Sequence, residues 1–150
     1  MIPSLLPDLS TSAVLKQRQW PLVVLDANVE DYSDLAADLT ARADVLVLSP
    51  ERDGVEQITA ALEQRDRITE LHLVSHGSSG RLQIGNTQLS LETIDSYADQ
   101  LQAWSHTLAG ADIHVYGCQV AKGALGYLFL QQLHQLTGAN LAASSQQIGR

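Results

Sequence analysis

Apolar positions along this chain switch repeatedly between a strand pattern and a helical one. Residues 21–26 (PLVVLD) form a continuous, β-branched apolar run ended by Asp26, the signature of a buried strand. Over 29–42, Val29, Tyr32, Leu35, Ala36 and Leu39 recur at helical spacing. Residues 43–50 (ADVLVLSP) give a second strand, stopped by Pro50. The stretch 53–66 opens on Asp53 as a helix N-cap, followed by one apolar face of Val55, Ile58, Ala61 and Leu62. Residues 68–77 (ITELHLVSHG) are a third strand, and 81–90 a small hairpin turning at Gly85-Asn86. A long helix is predicted over 90–108, with Ser90 as N-cap and Glu92 or Thr93 in its first turn. A fourth strand at 111–118, a helix at 123–138 closed by Gly138, and a fifth strand at 139–144 complete the pattern.

Strands alternating with helices predict an α/β fold. Short right-handed crossovers give a mostly parallel sheet of about five strands covered on both faces, a three-layer αβα sandwich in flavodoxin-like order with a small β-hairpin after strand 3. Residues 1–20, with prolines at 3 and 7, read as an irregular arm, and 21–150 as one domain. The fifth strand is expected at the sheet edge with unpaired backbone groups. The domain therefore reads as incomplete at its C-terminal edge, either a fragment of a longer chain or a surface for edge-strand assembly.

Composition narrows the functional classes. A chain of 150 residues that is 45% hydrophobic can bury a real core. A net charge of −8 provides no basic patch for phosphates, which argues against nucleic-acid partners. No apolar stretch approaches a membrane span, and the N-terminus lacks the basic and apolar regions of a secretory signal. The acidic, glycine-free segment DANVED after the first strand disfavours a nucleotide phosphate site. No cofactor is expected.

Chemistry in an open α/β sheet gathers beyond the carboxyl ends of the strands. Asp26-Ala27-Asn28 follows the first strand, Asp53 the second, His76-Gly77 the third and Gly117-Cys118-Gln119 the fourth. His72 lies four residues before His76, and His114 four before Cys118. If the two strands are parallel neighbours in register, His72 pairs with His114 and His76 comes level with Cys118, across a strand spacing of about 4.8 Å. A cysteine needs a base or cation nearby, because the thiolate is the nucleophile. Glycines at 77 and 117 would let a substrate backbone approach, and amides around Gly77 could face an oxyanion. Cys118 as a small buried hydrophobe, with His76 as an ordinary loop residue, is the competing reading. His72 and His114 without a third ligand make a poor zinc site and read as hydrogen-bonded strand residues, so no metal is expected.

The segments LHLVSHG and IHVYGC resemble the two motifs of the caspase, gingipain and legumain group of cysteine peptidases. That resemblance implies a caspase-like sandwich with His76 as general base, Cys118 as nucleophile and Gly77 supplying an oxyanion-hole amide. The stretch 21–145 further resembles an uncharacterised bacterial module of large, repeat-containing surface proteins. VVLDANVEDY, LSPERDGVEQI, LHLVSHGSSGRLQIGNTQL and VYGCQVAKGALGYLFLQQLHQLTGANLAAS carry that resemblance. It suggests an exported or cell-surface protein.

These readings lead to a cysteine endopeptidase-like domain acting on a polypeptide, including the remainder of a larger parent chain. Asp26 and Asp53 are the acidic candidates for reading a basic substrate residue, with Gly117 and Gln119 as further substrate-binding positions. For Asp53 the helix-cap role is favoured. The terminal Arg150 raises self-processing after a basic residue as an expectation. The alternative is a catalytically silent binding or assembly module that keeps the fold.

Overall fold

The computed structural model describes residues 20–116, 119–143 and 146–148. The arm, except Trp20, and Gly117, Cys118 and Arg150 lie outside the described residues. The first strand, β1 (Leu22–Asp26), is buried along its whole length, as a continuous apolar run requires. It pairs in parallel with β2 (Asp44–Leu48) and β3 (Glu70–Val74), and β3 pairs with β7 (Asp112–Tyr116). Next to β7 runs β8 (Asn140–Ala143), also parallel. The order of the parallel strands is β2-β1-β3-β7-β8, an α/β fold built on five of them.

The sixth strand, β9 (Gln146–Ile148), pairs antiparallel with β8. The edge expected to be open on the fifth strand is therefore covered by the chain's own next segment. This corrects the expectation of an unpaired β8. The segment SSQQIGR has no apolar run to announce a strand, and its pairing is decided by the edge it meets.

One sheet face holds the main core. Leu71, Leu73, Ile113, Val115 and Leu141 point to three helices: α2 (Gly54–Glu63), α3 (Ala98–Ala103) and α5 (Gly123–Thr137). Ile58, Leu62, Leu101, Phe129, Leu130 and Leu133 pack against them, all 4% exposed or less. Each such side chain contributes about 1.5–3 kcal/mol by leaving water. Gly138 ends α5 with φ 72, a left-handed C-cap that glycine adopts without steric cost.

Among the described residues the opposite face carries α1 (Tyr32–Leu39), a helix with no buried residue. Only eight residues of the predicted 29–42 segment are helical. Leu35 and Leu39 border an apolar groove with Val23 and Leu25 of β1, Val74 of β3 and Tyr116 of β7.

The predicted 90–108 helix is also broken. Ser90 closes strand β6 (Thr87–Ser90), and its hydroxyl accepts from Glu92 N at 3.2 Å. Thr93 Oγ1 donates to Gln88 O at 2.8 Å and accepts from Ser90 N at 2.9 Å. These local bonds compete with helix initiation. A 3-10 turn (Ile94–Tyr97), α3 and a short α4 (Ser105–Leu108) follow instead.

The predicted hairpin gains a third strand. β4 (His76–Ser78) pairs with β5 (Arg81–Ile84), which pairs with β6. This small antiparallel sheet sits over the carboxyl ends of the parallel strands. Its Gly85-Asn86 turn receives three anchors. Gly85 N donates to Asp26 Oδ2 at 3.1 Å, Asn86 N to Arg52 O at 2.8 Å, and Asn86 Nδ2 to Glu51 O at 3.1 Å. At its other end Gly80 N donates to Val120 O at 2.9 Å. His76 thus begins β4 rather than extending the third strand of the main sheet.

Candidate functional site

The register inferred from the histidine offsets is the one observed. His72 pairs with His114 and Val74 with Tyr116, the last paired residues of β3 and β7. Beyond Val74 the chain passes through the buried Ser75 to the exposed His76.

His76 Nε2 lies 2.9 Å from Asn28 O. A carbonyl can only accept, so in the neutral ring Nε2 carries the proton and Nδ1 keeps the lone pair. The acceptor is itself held in place. Asn28 N donates to Asp26 Oδ1 at 2.9 Å, and Val29 N to Asp26 O at 3.0 Å. Asp26 is 0% exposed, and its second carboxylate oxygen holds Gly85 of the small sheet. A buried carboxylate therefore braces the loop whose carbonyl fixes the tautomer of His76. Asn28 was not legible as a site residue, because its contribution is a backbone oxygen.

The other expected residues are placed as follows. Gly77 is half-buried in β4, and a Cβ there would come 2.4 Å from Val120 Cγ2 and 2.6 Å from Arg81 O. Its missing side chain admits the Val120 side chain and the Arg81 carbonyl. Gln119 is exposed with φ 60, a left-handed backbone uncommon for a residue with a side chain. Lys122 N donates to Gln119 O at 3.0 Å, closing a tight turn. Asp53 caps α2, accepting from Val55 N at 2.8 Å and Glu56 N at 3.3 Å. The carboxylates of Asp26 and Asp53 are both engaged within the protein.

Asp53 has a further partner. Tyr97 Oη donates to Asp53 Oδ2 at 2.6 Å. That hydrogen bond is the main reason the phenol is raised above its ordinary value of 10.0, with burial adding to it and Thr87 opposing it. A raised folded-state value means the stabilisation is complete below the unfolded tyrosine value and is lost as the pH climbs through the folded one. Above pH 10, wild type should therefore lose stability with pH more steeply than Tyr97→Phe. Urea midpoints across that range measure the slopes, and equal slopes would contradict the coupling.

A second cluster lies on the sheet face that carries α1. The His72 and His114 rings stack with centroids 4.7 Å apart and planes 10° from parallel. His72 Nε2 is 3.0 Å from Glu70 Oε1, and His72 Nδ1 is 3.0 Å from Tyr116 Oη. His72 is a hydrogen-bonded strand residue, as expected from sequence, while the contacts of His114 are ring stacks on His72 and Tyr116. Glu70, two residues before His72, shares its face by strand periodicity, the signal that would have found it. One ligand atom from each of Glu70, His72 and His114 lies within 4.8 Å of the others.

A family model described as Domain of unknown function (DUF4347) matches residues 22–150. No curated protein matches the chain.

Proposed function

The chain belongs to the DUF4347 family over residues 22–150, and from that premise we propose that its domain is a caspase-like cysteine peptidase module working through His76 and Cys118. The observation that carries this reading is the fixed tautomer of His76. Its Nε2 proton is spent on Asn28 O, which leaves Nδ1 as a base at the carboxyl end of β3. Cys118 follows Tyr116 by two residues, as His76 follows Val74, its register partner.

Gln119 adds support. A left-handed non-glycine residue costs about 1–3 kcal/mol, and such strain collects at functional sites. Here it falls on the residue directly after the cysteine.

In the proposed reaction, Nδ1 of His76 takes the Cys118 thiol proton. The thiolate sulfur attacks the scissile carbonyl carbon, and an amide near Gly77 receives the oxyanion. The C–N bond breaks as the leaving amine takes the proton from Nδ1. Water, deprotonated by the same nitrogen, then cleaves the thioester to a carboxylate and the free thiol. The substrate class is a polypeptide. The resemblance to modules of large surface proteins makes the parent chain itself a candidate, with self-processing after a basic residue as the specific case.

Cys118 is the only cysteine, so alkylation reports on it alone. The rate of reaction with iodoacetamide against pH should show an apparent value well below the ordinary thiol value of about 8.5. His76→Ala should return it there. Identical profiles in the two proteins would refute the dyad. They would favour the second reading, a silent binding module, which the 54% exposed Tyr116 at the end of β7 suits.

A further inference from the structure

Parallel strands in register put residues of the same number offset side by side on one face. On β3 and β7 this produces a ladder. Glu70 faces Asp112, His72 faces His114, and Val74 faces Tyr116. None of these six is buried, and His72, Val74 and Tyr116 line an open groove with Leu35 and Leu39 of α1. We propose that Glu70, His72 and His114 form a site for a divalent transition ion of the zinc class on this face.

The donor set is two imidazoles and one carboxylate, which zinc and its neighbours in the transition series accept. The donor atoms already lie within 4.8 Å of one another. Ligand distances of about 2.0–2.2 Å put coordinating atoms some 3–4 Å apart. Closing that difference takes rotation of three half-buried or exposed side chains with the backbone unchanged. The His114 ring turns out of its stack on His72 to aim its lone pair at the ion. Strand pairing fixes the Cα positions, so the ligands rise from paired strands rather than from loops.

The surroundings match a metal centre. Neutral His72 binding through Nε2 carries its proton on Nδ1, and Tyr116 Oη is 3.0 Å from that nitrogen, ready to accept it. Metal-bound histidines keep such an outer partner, which sets ring orientation and tautomer. Asp112 adds a second carboxylate opposite Glu70, hydrogen-bonded through Oδ1 to Asn140 Nδ2 at 3.1 Å. Three protein ligands leave a position open to solvent, the arrangement of an accessible rather than a closed structural centre.

Equilibrium dialysis of the intact chain against zinc is the test. One ion per chain is expected. His114→Phe keeps an aromatic ring in the stack but removes the donor, and Glu70→Gln keeps the shape but removes the charge. Each should weaken zinc by at least the effect of losing an outer partner, about tenfold. Both side chains are half-buried or exposed, so the fold should survive, and unchanged urea midpoints would confirm it. Unchanged affinity in His114→Phe overturns the site. Binding that disappears in Cys118→Ala while persisting in His114→Phe also overturns it, because the ion would then belong to the proposed dyad. The site does not depend on peptidase activity, and loss of the dyad reading leaves it standing.

Discussion

Replacing Asp26 with alanine should destabilise the protein by about 1–3 kcal/mol. The carboxylate is 0% exposed and accepts from two backbone amides, Asn28 N and Gly85 N. Removing it leaves the buried Gly85 N–H without this partner, at about 1–3 kcal/mol, whereas the Asn28 N–H of an exposed residue can turn to water. The two donors belong to different parts of the fold. One sits in the loop after β1, the other in the turn of the small sheet that covers the strand ends. Asp26→Asn retains one acceptor but sets an amide NH2 against the other N–H, and should fall between. Urea unfolding measures all three, and a loss below about 0.5 kcal/mol in the alanine variant, the scatter of ordinary surface changes, would show that the carboxylate is not the brace.

The same substitution reaches the candidate site. Asn28 O orients His76 only while its loop is held. Nitrogen-15 spectra of the imidazole should show the Nε2-protonated form in wild type and a mixture in Asp26→Asn. An expected substrate-reading acid is thus better described as an internal support.

The features legible in the sequence were those with a period or a local signal. The continuous apolar runs fixed the parallel strands, and the equal offsets of His72 to His76 and His114 to Cys118 carried the register. Asp53 announced its helix by residue type, and Gly138 closed another. What escaped was decided by competition between distant parts. His76 leaves the main sheet because β5 offers a partner. Thr93 and Ser90 divert a helical pattern through side-chain bonds. α1 has a helical apolar pattern but too little opposite it to bury. Three polar-rich residues of β9 pair because β8 presents an edge. The carbonyl of Asn28 has no residue-type signature at all.

Gly126 is the place where a sequence rule and the structure predict opposite signs. A glycine inside a helix is ordinarily worse than alanine by about 1 kcal/mol. Gly126 sits in the first turn of α5 and is buried. A Cβ there would lie 2.2 Å from Ala121 C, 2.5 Å from Ala121 O and 2.7 Å from Val120 O. These are backbone atoms, which cannot swing aside as a side chain would. They belong to the short turn between Gln119 and Lys122, which Gly126 N also meets by donating to Lys122 O at 3.1 Å. Gly126→Ala must therefore push the helix off the turn, and overpacking of this kind costs about 1–3 kcal/mol or more. A net destabilisation of about 2 kcal/mol is expected in urea unfolding. Leu125→Ala, at a 56% exposed neighbouring position, should stay within about 0.5 kcal/mol of wild type. The turn lies directly after Cys118, so Gly126→Ala should also alter the alkylation rate while Leu125→Ala leaves it unchanged. If Gly126→Ala were instead stabilising, helix propensity would have won, and the close seat of α5 on the turn would be wrong.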